Sequence, residues 1–119
     1  MDKNLIRKRH DGTIECEVAV MIIKDDDNTF TAYCPALQLS TYGDSETDVQ
    51  EAFAERLAIF MEELLSQKLL HDELIRLGWN YEASKNPHLT QPENITIPLH
   101  LLNSSHSIIK KPFRVPAYA

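Results

Sequence analysis

Any chemistry in this chain would have to come from its five histidines, its two cysteines or its clustered aspartates. His10, His71, His88, His100 and His106 fall in separate segments, and no two stand four residues apart, the spacing that turns two imidazoles on one helical face toward a metal ion. Cys16 and Cys34 lie 18 positions apart, which matches no zinc or redox spacing, and both read as small buried hydrophobes. A nucleophilic cysteine needs a base beside it. Cys34 has only Tyr33 and Pro35 as neighbours, although a histidine distant in sequence could still approach it. Asp25, Asp26 and Asp27 are adjacent, but the ordered ligand spacing and closing glutamate of a calcium loop are missing, since the next acid is Asp44. The three glycines, at 12, 43 and 78, cannot build a phosphate-cradling loop. The expectation is a protein without catalytic, cofactor-binding or metal-binding residues. Its enzymatic rival is a metal-dependent nuclease built on Asp25, Asp26, Asp27 and Asp44.

The elements that would position these residues begin with length. A chain of 119 residues with 43% hydrophobic and 25% charged side chains is the size of one small domain. The longest purely apolar stretch, residues 18–23, is far short of the ~20 residues of a membrane helix. Residues 1–12 show neither the apolar centre nor the small-residue cleavage site of a secretory signal, so a cytoplasmic protein is expected. Charge is divided unevenly: residues 13–79 hold 14 acidic and 4 basic side chains, whereas both ends carry a slight basic excess. An acidic body repels nucleic acid phosphates and attracts a basic partner.

Alternation over residues 13–24 predicts a strand with Ile14, Cys16, Val18, Val20 and Ile22 on one face; polar residues mark the other face only at its start, so the strand is covered on both sides toward its end. Asp25, Asp26, Asp27 and Asn28 supply a hairpin loop. A return strand over 29–34 ends at Pro35, and a third strand over 37–42 completes a meander. After Gly43, either Asp44 or Ser45 caps a helix reaching Gln67, with Val49, Phe53, Leu57, Phe60 and Leu64 as its apolar stripe. A short helix over 71–77 stops at Gly78, and Trp79 packs back on its end. Residues 80–93 read as a linker, 94–102 as an edge or bulged strand because of Pro98, and 103–119 as a proline-broken tail. The expected fold is α+β, a three-stranded antiparallel meander covered by one long helix, plus a short helix and a C-terminal strand (β-β-β-α-α-β). Its parts are an arm at 1–12, a core domain at 13–79, a linker at 80–93 and an oligomer-forming end at 94–119.

The words within these elements resemble a known family. Tyr33, Cys34, Pro35 and Leu37, then Gly43 and Asp44, then a helix with Ala52 and Leu57, and finally Gly78 and Trp79 closing HDELIRLGW, look like the HicB-like antitoxin domain. Ala36 stands where an acid is frequent and Ser45 replaces the common threonine. The resemblance spans residues 14–79 and implies a partial, degenerate ribonuclease-H-like fold that is not a nuclease. It also implies a homo-oligomer, dimer or tetramer, that binds and blocks a small basic RNA-cleaving toxin. Family members usually carry a C-terminal DNA-binding module. Here 17 residues with two prolines follow position 102, which leaves no room for one and implies a stand-alone member, or an orphan without a toxin. A further alternative is a DNA-binding regulator that uses Lys3, Arg7, Lys8 and Arg9 with Lys110, Lys111 and Arg114.

Overall fold

The computed structural model describes residues 5–8, 13–25, 27–83, 88–90 and 106–116. Seven strands and two helices follow in the order β1 (Leu5–Lys8), β2 (Thr13–Lys24), β3 (Phe30–Cys34), β4 (Leu39–Gly43), α1 (Glu46–Ser66), α2 (Leu70–Arg76), β5 (Asn80–Glu82), β6 (His88–Thr90) and β7 (His106–Pro116). All pairings are antiparallel. The sheet runs β4-β3-β2-β1-β6-β5, with β7 added on β2.

The three-stranded meander is therefore corrected to a larger sheet organised around β2. β7 pairs with β2 from Thr13 to Ile23 without a bulge. A strand has two edges, so β1, at Ile14–Glu17, and β3, at Met21–Lys24, share the other one. Three of the strands lie in stretches that read as arm or linker. Four residues of β1 among charges, and three each in β5 and β6, are too short for alternation to register. β7 contradicts the reading of its segment as a broken tail, and its prolines explain how. Pro112 and Pro116 share one parity, so a ladder through the N–H groups of 107, 109, 111, 113 and 115 loses nothing to them. The C-terminal strand expected over 94–102 lies outside the described residues.

One face of β2 meets the helices. Ile14, Cys16, Val18, Val20 and Ile22 are buried with Ala32, Cys34, Val49, Phe53, Leu57 and Met61 in one core. Phe60 and Leu64, expected in the centre of the helix stripe, pack at its margin, and Met61 takes the central place along the i, i+4 row. On the opposite face Met21 and Ile23 are also buried, so β2 is covered on both sides at its C-terminal end. Among the described residues no helix is long and apolar enough to cross a membrane.

Local chemistry sets the element ends. Ser45 caps α1 by accepting from the Asp48 N–H, while Glu46 and Asp48 complement the helix dipole. Both helices close with the same pair of backbone hydrogen bonds. Leu69 N donates to Leu64 O and Lys68 N to Leu65 O; Trp79 N donates to Leu74 O and Gly78 N to Ile75 O. Each closure needs a left-handed residue, Gly78 (φ 95) in one and Lys68 (φ 56) in the other. Gly43 is required for another reason. A Cβ there would lie 2.7 Å from Val49 N and 2.9 Å from Val49 Cα, both backbone atoms of the first helical turn. Gly43→Ala is expected to lose about 1–3 kcal/mol because strand and helix must separate. Urea unfolding checks this, and an unchanged midpoint would mean the helix start can move without cost.

Candidate functional site

The residues singled out in the sequence divide between the two ends of the β3-β4 hairpin, α1 and the closure of α2. Pro35 opens the turn of residues 35–38, in which Gln38 adopts φ 55 and after which β4 begins at Leu39, later than the expected 37. Leu37 is buried there. Trp79, 2% exposed, donates its indole N–H to Ala36 O at 2.9 Å and so roofs the turn. Gly43 and Asp44 connect β4 to α1, where Leu57 faces the core and Ala52 is half-buried; Tyr33 sits half-buried on the opposite face of the sheet. Gly78 and Trp79 thus close over the turn at one end of the β3-β4 hairpin, and Gly43 and Asp44 join β4 to α1 at the other, where Gly43 pairs with Phe30.

Cys16 and Cys34 are free and buried. Burial pushes the Cys16 thiol up to about 12, helped by nearby Cys34 and Glu15. Burial also raises Cys34, to about 11, against the lowering effect of the Leu37 and Ala36 backbone N–H groups. Neither thiolate is accessible at neutral pH, so native protein is expected to resist a thiol reagent that labels both residues once urea unfolds the chain. Because the folded values lie above the unfolded value near 9.0, the stability they contribute is full below that pH and is lost as pH rises toward 11 and 12. The unfolding midpoint should fall over that interval, and less steeply when both cysteines are alanine.

The aspartate loop is occupied by its own hydrogen bonds. Asp25 Oδ2 accepts from Thr31 Oγ1 at 2.7 Å, and Asp27 Oδ1 accepts from Thr29 Oγ1 at 2.6 Å and Thr29 N at 3.1 Å. The hydroxyl and then the amide of Thr29 hold the Asp27 carboxyl below its usual range. Left-handed Asn28 (φ 67) completes the turn. Asp44 lies on a different loop, before α1, and Asp26 is outside the described residues. Among the described residues, no group of three or more His, Cys, Asp or Glu side chains is placed to hold a metal ion.

Of the basic positions, Lys3 and Arg9 lie outside the described residues. Arg7 gives its guanidinium to Glu15, at 3.0 Å from Nε and 2.8 Å from Nη2. Glu15 is only 4% exposed, and the register places Arg114 opposite it on the β7 side. The Arg7–Glu15 pair across two strands escapes sequence reading because β1 was not expected.

The surface that stands out is the outer side of α1. Asp48, Glu51 and Glu55, and then Glu62 two turns further on, fall opposite the buried Val49, Phe53, Leu57 and Met61, and all four are exposed. Ile59, 44% exposed, lies in the middle of this row, and Glu63 flanks it. An acidic helix face with an apolar side chain among its carboxylates can attract and seat a basic surface.

Comparison with family models, curated proteins and solved structures finds no match to this chain.

Proposed function

We propose that this chain is a non-enzymatic binding protein of the HicB-like antitoxin type. It acts in the cytoplasm as a homo-oligomer and neutralises a small basic RNA-cleaving partner. The observation that carries the reading is the exposed acidic row on α1, which a basic protein complements and a nucleic acid does not. The ordered motif around Tyr33, Cys34, Pro35, Gly43 and Trp79 supports it independently. Co-expression with the product of the neighbouring reading frame tests it. A small basic neighbour should co-purify, and its toxicity to growth should be relieved. Glu51→Lys, Glu55→Lys and Glu62→Lys together should abolish capture and leave the far-UV spectrum unchanged. Absence of a small basic neighbour, or its failure to bind, removes the antitoxin role. Undiminished capture by the triple variant removes α1 as its surface.

A further inference from the structure

Where the end of α1 meets the start of α2, the helices stand off the β1-β6-β5 side of the sheet and leave a cleft of ≈ 390 Å³. That volume falls in the range of about 300–1,000 Å³ usual for small-molecule sites. Its walls are apolar: Ile6, Ile14 and Leu89 from the sheet, Leu65 and Leu70 from the helices. Its basic side chains are Arg7, Lys68, His71 and His88, with Tyr81 beside them, and no carboxylate is among the described lining residues. Across the whole chain 18 acids stand against 12 lysines and arginines, so such a lining runs against composition.

We propose that this cleft binds a small amphipathic anion, an alkyl carboxylate, with its chain between the sheet and helix walls and its carboxylate at the rim. Arg7 is committed to Glu15, so the anion falls to Lys68 and His71. The Lys68 backbone is fixed at the left-handed closure of α1, and the His71 ring stands edge-on to Tyr81 at 5.2 Å and 71°. Apolar burial supplies most of the affinity, and the basic rim selects the headgroup.

Titration of the full chain with sodium octanoate, followed by calorimetry and amide shift mapping, tests the proposal, with octanol and octyltrimethylammonium as neutral and cationic probes of equal chain length. Octanoate should saturate, with shifts concentrated at Lys68, His71, Tyr81 and Leu89, and should bind more tightly than either control. Exposed Lys68→Glu should weaken octanoate by about fivefold or more and leave octanol unchanged. Leu89→Trp should block all three probes. The Lys68 variant decides the matter if the tryptophan variant does not fold. No binding, equal binding of octanol, a preference for the cation, or unaltered octanoate affinity in Lys68→Glu overturns the assignment.

Discussion

Trp79→Ala is expected to remove about 3–5 kcal/mol of folding stability, a large share of the ~5–15 kcal/mol that holds a small domain together. The indole is 2% exposed and belongs to the core that α1, α2 and β2 share. Its position follows from the helix closure before it. Gly78 turns the chain left-handed, the Trp79 N–H returns to Leu74 O, and the side chain is set against buried Leu74, the apolar contact that usually accompanies this closure. The ring then spans 43 positions of sequence to donate to Ala36 O. Trp79→Phe separates the two contributions. It keeps most of the apolar area but leaves the Ala36 carbonyl without its donor, at a cost of about 1–3 kcal/mol. Urea unfolding by far-UV circular dichroism measures both variants, since Trp79 is the only tryptophan and its fluorescence is lost with it. If Trp79→Ala unfolds at the parent's midpoint, the corner around Pro35 stands without its roof.

The parts of the fold legible in the sequence are those whose signals are local and long. Twelve residues of β2 show alternation, and twenty-one of α1 show a continuous stripe with a serine cap. The Gly78 stop could be read from one residue, because glycine carries no Cβ penalty in the left-handed region. The other helix closure was not readable, since a lysine occupies the same conformation there. β1, β5 and β6 were missed because three or four residues stabilise nothing alone; they are strands only because neighbours already offer an edge. β7 was missed for the opposite reason, a breaker rule applied without parity. Two prolines four apart interrupt a central strand but not one that bonds along a single side.

The candidate sites divide in the same way. The acidic row on α1 is legible from spacing alone, as charges falling off the apolar stripe of one helix, but in sequence it reads as an ordinary solvated face. The cleft is not legible there, because Ile6, Leu65, Lys68, His71 and Leu89 come from four elements that only the tertiary fold brings together. Glu15 looked like the polar face of a half-covered strand. Burial of its carboxylate depends on Arg7, whose strand lay hidden in the charged arm. Buried charges of this kind persist only when paired, so the ion pair and the missed strand are one observation.

Phe53→Ala is the second large effect, about 3–5 kcal/mol, and its consequence reaches beyond stability. Phe53 is 1% exposed and meets Phe113 edge to face, with ring centroids 5.7 Å apart and planes at 62°. That contact ties α1 to β7 at the position where Phe113 pairs with Cys16. Phe53→Leu, Phe113→Leu and the double variant form a cycle whose coupling should be about 0.5–1.5 kcal/mol, the part that belongs to ring geometry over buried area. β7 covers one whole edge of β2 from Thr13 to Ile23, an apolar strand whose exposed edge would be a template for intermolecular pairing. Loosening β7 should therefore convert lost stability into association. Phe113→Ala is expected to unfold at lower urea and to form high-molecular-weight species in light scattering before far-UV ellipticity is lost, whereas Gly43→Ala, destabilised at the opposite side of the sheet, should unfold without that early rise. Early association in both variants would mean that general instability is the cause, and its absence in both would mean that β2 stays covered until the domain unfolds as a whole.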